Sequence, residues 1–113
     1  MPLRPSDRAP GLLLGEGVEL PGSVELGGHV VIHPGTEIGE DARIQDGALL
    51  GKPVALGPRS RASGEASGPL RIGAGATICA AAVIVAGAAV DGEAVIGDQA
   101  HVRERAVVGS GSV

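Results

Sequence analysis

Few side chains in this chain can do chemistry. It holds three histidines, His29, His33 and His101, a single cysteine, Cys79, and nine Lys or Arg against thirteen Asp or Glu. Histidine changes charge near neutrality, which suits it to general base catalysis. His101 stands near Asp98, Arg103 and Glu104, and a carboxylate that orients an imidazole favours such a role, so His101 is the candidate catalytic residue. His29 and His33 lie closer together, around one corner of the chain. Cys79 is followed by Ala80, Ala81 and Ala82 with no basic neighbour to activate it, so it reads as inert packing. Arg59, Arg61 and Arg71 flank and close a Gly/Ser/Pro-rich stretch and could grip a phosphate or carboxylate. A solvated loop is the plainer account of the same stretch.

Composition narrows the classes of function. With no Phe, Tyr or Trp among 113 residues, the chain lacks the platforms on which single-stranded nucleic acids stack. A formal charge of -4 opposes binding to phosphate backbones, so no nucleic-acid partner is expected. One cysteine cannot form an internal disulfide. No charged-then-apolar leader opens the sequence, and no apolar run approaches the roughly 18 residues of a membrane span. A cytoplasmic protein without a membrane span is expected. Gly and Pro together make about a quarter of the chain, which without a period would indicate disorder.

There is a period, and it is six. Leu14, Leu20, Leu26, Ile32, Ile38, Ile44, Leu50 and Leu56 are followed, after an interruption, by Ile72, Ile78, Ile84, Val90, Ile96, Val102 and Val108. Four places after each comes a small or β-branched residue, such as Val30, Thr36, Ala42, Ala76 or Ala94. Turn chemistry falls between, as in Pro34-Gly35 and Asp46-Gly47. A helix wants apolar residues three and four apart, and a free strand wants them two apart. Six residues make one short strand and one tight corner. A chain repeating that unit can coil, stacking like residues in columns and bonding each strand to the one a coil earlier.

The segments "LGEGVE", "IGAGAT" and "IGDQAH" resemble the repeat of the hexapeptide-repeat proteins, and the resemblance runs from Leu14 to Val113. It implies an all-β fold, a left-handed parallel β-helix of triangular section with three hexads to a coil and about five coils. On this basis residues 1–13 are an N-terminal tail or cap. Residues 14–61 are a first array of hexads, 62–71 a loop excursion and 72–113 a second, uncapped array. The uncapped end further implies the N-terminal portion of a longer protein.

Outward places of the first array are mostly polar, with Val31, Leu49 and Ala55 as exceptions, whereas those of the second are mostly apolar. The contrast marks Val83, Val95, Val107 and Val113 as an interface with another subunit. The resemblance implies a homotrimer about an axis parallel to the helix.

It also implies acyltransferase chemistry: transfer of an acetyl or longer acyl group from coenzyme A to an amino or hydroxyl group. The acceptor is a sugar or sugar nucleotide, as in bacterial sugar-modifying transferases, and the thioester lies between neighbouring β-helices. Acetyl-CoA or another acyl-CoA is then the co-substrate, and no metal is needed. No family-specific catalytic motif is legible, so the resemblance does not imply a complete active site in the chain itself. Two alternatives stand beside this one. A non-catalytic β-helical scaffold or oligomerisation module would need no site at all. A γ-carbonic-anhydrase-like protein is indicated by Gln45 and Asp46, which resemble that family's "NIQD" segment. Its three zinc histidines would fall at Gly51, Ala80 and Val85, so the ligands are missing.

Overall fold

The computed structural model describes residues 3–52, 69–103 and 106–111. Among them there is no helix, and short strands form three sheets. In chain order these are β1 (Leu3–Pro5), β2 (Leu13–Gly15), β3 (Glu25–Leu26), β4 (Val31–Ile32), β5 (Glu37–Ile38), β6 (Arg43–Ile44) and β7 (Leu49–Lys52). After the interruption come β8 (Arg71–Ile72), β9 (Thr77–Ile78), β10 (Val83–Val85), β11 (Ala89–Val90), β12 (Val95–Ile96), β13 (His101–Val102) and β14 (Val107–Val108). One sheet runs β1-β2-β4-β7-β10-β13, the second β14-β11-β8-β5 and the third β12-β9-β6-β3. From β3 onward the chain visits the three in rotation. Every pairing but β1 with β2 is parallel. This is consistent with a β-helix-like fold.

The six-residue period explains the core. In-register pairs join aliphatic to aliphatic, as in Leu14↔Ile32, Ile32↔Leu50 and Ile84↔Val102. Ile32, Leu50, Ile78 and Ile84 have no exposed surface, and neither do Ala42, Ala48, Ala76, Ala82 and Ala94 at the small places. The aliphatic fills the middle of a face, and the small residue lets the chain turn against the layer above. Backbone bonds run from coil to coil, among them Val31 N–H to Ala48 O at 3.0 Å and Leu49 N–H to Ala82 O at 2.9 Å.

The corners obey a rule that composition alone did not show. Corner 45–48 closes with a hydrogen bond from Ala48 N–H to Gln45 O, and its third residue, Gly47, has φ 74°. That is the arrangement of a type II turn. The same third place is left-handed at Gly17, Gly35, Gly75, Gly87 and Gly111. It is also left-handed at His29, Asp41, Ala81, Glu93 and Gln99, which carry a Cβ there.

Residues 3–12 pack against the first coil. β1 pairs antiparallel with β2, Leu12 and Ala9 are buried, and the Arg8 guanidinium donates to Leu20 O and Pro21 O. The interruption also has other limits. Ile72 in β8 pairs with both Ile38 and Val90, so it follows Leu50 in the ladder and holds the step that the count of six assigned to Leu56. Leu56 and the expected boundary at 61/62 lie outside the described residues. Leu70 and Arg71, expected in the excursion, belong to the coil: Leu70 is fully buried and its carbonyl accepts from Glu37 N–H at 2.8 Å. The chain leaves the ladder at a bulge. Leu50 pairs with Ile84 and Lys52 with Val85, which makes Gly51, at φ 75°, an extra residue.

Candidate functional site

The outward residues stack in columns because the strands beneath them are in register. The sheet of β2, β4, β7, β10 and β13 carries Leu13, Val31, Leu49 and Val83, ending in His101. The other two faces carry Glu25, Arg43, Thr77 and Val95, and Glu37, Arg71, Ala89 and Val107. Apolar outward residues therefore sort by face as well as by half of the chain. Val31 and Leu49, exceptions in the sequence, belong to one aliphatic column. The signal was a spacing of eighteen rather than six.

The residues singled out as one interface are not brought together. Val83, Val95 and Val107 lie on three different sheets, because each step of twelve residues advances two faces. Val107 is 68% exposed, and Val113 lies outside the described residues. Of the three arginines, Arg59 and Arg61 also lie outside them. Arg71 is exposed on β8 and pairs with Glu37 at 3.5 Å, a cross-coil contact between solvated side chains.

Polar residues at the corner between the third sheet and the aliphatic-faced sheet hold coils together. Asp46 Oδ1 accepts from Gly28 N–H at 2.8 Å, and Asp98 Oδ1 accepts from Ala80 N–H at 3.1 Å. Asp46 thus caps the coil before it, as a corner residue does. Asp98, one of the two carboxylates near His101 in sequence, is engaged in the same way. Among the described residues no group of three His, Cys, Asp or Glu side chains converges to hold a metal ion. Cys79 is half-buried in this corner and free. A groove of about 470 Å³ runs over the third sheet between Glu25, Arg43, Gln45 and Asp46.

The three histidines have different surroundings. His101 is exposed at the end of the aliphatic column. His29 is exposed, with its ring over Gly11, where a Cβ would collide with it. His33 is half-buried at the first place of corner 33–36. Its amide donates to Leu50 O at 2.9 Å, and its carbonyl accepts from the buried Thr36 hydroxyl, also at 2.9 Å. Its Nδ1 has no exposed surface and, among the described residues, no hydrogen-bond partner. Burial pushes the imidazole below the ordinary histidine range, and the positive amino terminus acts in the same sense. Both effects favour the neutral ring, which carries a lone pair, the state a base requires. Sequence reasoning passed over His33 because nothing local marks it. Counting eighteen residues back from the bulge glycine, Gly51, would have found it.

Compared with known proteins, the chain matches no family profile and no curated sequence.

Proposed function

We propose that the chain is a left-handed hexapeptide-repeat β-helix of the acyltransferase kind, cytoplasmic and homotrimeric. The reaction moves an acetyl or acyl group from coenzyme A to an amino or hydroxyl group of a sugar-like acceptor. The observation that carries the proposal is the rotation of short parallel strands through three sheets at a step of six residues, broken once by an excursion. In the transfer, His101 takes the proton as the acceptor nitrogen or oxygen attacks the thioester carbonyl. The carbon–sulfur bond then breaks and the thiol departs. The aliphatic column Leu13, Val31, Leu49 and Val83 is the face on which a neighbouring copy packs, and that packing brings His101 to the seam.

The test is release of free thiol from acetyl-CoA in the presence of a panel of amino sugars, run on the trimer. Turnover that falls at least a hundredfold in His101→Ala supports the assignment. Intact trimers without turnover refute transfer to those acceptors.

A scaffold is the second reading, favoured by the polar contacts themselves. Asp46, Asp98, Ser23, Ser110 and Arg8 all bond to backbone groups of a neighbouring layer. A stable trimer that neither turns over nor binds acetyl-CoA selects it.

A further inference from the structure

Corner 33–36 differs from the other described corners in what covers it. Gly51, directly above, is the bulge residue, and a Cβ there would run into the Thr36 hydroxyl and lie 3.5 Å from His33 Cβ. Beneath, a Cβ at Gly15 would meet the backbone between His33 and Pro34. His33 thus sits between two glycine-bearing layers, its backbone against one and its Cβ near the other, in the one described part of the ladder where the register shifts. Neutral imidazole has one N–H and one lone pair. With Nδ1 buried and unpartnered, the favoured tautomer carries hydrogen on Nε2 and leaves a lone pair on Nδ1. An unpaired acceptor is tolerable there. A proton on Nδ1 would add a buried donor with no acceptor, which is costlier.

We infer that corner 33–36 is an acid-sensitive joint of the ladder: proton uptake at His33 Nδ1 weakens the coil-to-coil bonds on either side of the Gly51 bulge. Among the described residues, the charged ones on the corner layers packed above and below are Lys52 and Glu16, both exposed. The amino terminus adds a positive charge that opposes protonation. Neither Lys52 nor Glu16 partners Nδ1. The bonds at stake are His33 N–H to Leu50 O and Ala86 N–H to Lys52 O, both 2.9 Å. The sign is fixed by linkage. A histidine whose folded pKa is lowered contributes stability that is full above its unfolded value and is lost as pH falls below it.

The experiment follows imidazole nitrogen shifts and backbone amide exchange in the full chain between pH 8 and 5. Expected is a His33 that holds its hydrogen on Nε2 and titrates below a histidine in the unfolded chain. The opening equilibria of the His33 and Ala86 amides should rise on the order of tenfold between pH 7.5 and 5.5. The Cys79 amide, bonded to Ile96 O at another corner, should change far less. His33→Gln should remove the difference. A His33 that titrates like the unfolded reference, or amides that loosen equally at both corners, would overturn the inference. If His33→Gln does not fold, the two wild-type measurements decide alone.

Discussion

Gly39 and Gly97 occupy the same place in the repeat, directly after Ile38 and Ile96, yet they should respond oppositely to one added methyl. A Cβ on Gly39 would sit 2.6 Å from Ala74 N and 2.9 Å from Ala74 Cα, which are backbone atoms of the next coil. Gly39 N–H also donates to Ile72 O at 2.8 Å, so moving the strand away strains a ladder bond. Overpacking against backbone costs roughly 1–3 kcal/mol. A Cβ on Gly97 meets nothing within 4 Å. Gly97→Ala should therefore stabilise by about 0.4–1 kcal/mol, through the lower entropy of the unfolded chain. The two variants should differ by roughly 1.5–4 kcal/mol, or about 6–30 °C in melting temperature at roughly 4–8 °C per kcal/mol for a domain of this size. With no Trp or Tyr the chain has no useful intrinsic fluorescence, so the assay is far-ultraviolet circular dichroism with heat or urea. A Gly39→Ala protein as stable as the parent, or a Gly97→Ala protein equally damaged, would refute close coil approach as the reason for the glycine.

Further outcomes follow from the same geometry. Ala81 has φ 58° with a Cβ, so Ala81→Gly should raise stability by up to about 1 kcal/mol in a urea titration, the relief of the left-handed backbone exceeding the entropy lost. Asp46→Ala leaves Gly28 N–H without its partner and should cost about 1 kcal/mol, read as a lower urea midpoint. Ile84→Ala empties a site with no exposed surface and should cost roughly 2–5 kcal/mol in the same titration. Leu49→Glu on the aliphatic face should dissociate the proposed trimer in sedimentation, whereas Val95→Glu on another face should leave it assembled. The reverse pattern would move the interface.

The column of interior aliphatics was legible because nothing but a stacked coil repeats every six residues. Where the chain leaves that column was not. Leu56 followed by Gly57 satisfies the pattern as well as Ile38 followed by Gly39, and a pattern records which residues can fill a step, not which do. What decides is the bulge at Gly51, and a glycine after an aliphatic is ordinary here. Leu70 escaped notice because it is large at a small place. Its neighbours along the column, Thr36 and Ala88, are small, which leaves it room. The outward columns were hidden for a related reason: successive hexads are neighbours in sequence but face different directions. Val83, Val95 and Val107 looked like one stripe in sequence and lie on three sides of the fold.

The direction of the ladder bonds has a mechanical consequence. Between coils they run along the stack, so a tether pulling the two ends loads them one layer at a time instead of shearing many together. The chain should peel in steps. Most steps would release eighteen residues, the interval from Ile32 to Leu50, or about 60 Å of extended chain. One step, from Leu50 to Ile84, would release thirty-four residues, because those two are direct partners in the ladder. A force trace would then show one long interval among short ones, and its place in the order of rupture would report from which end the stack comes apart.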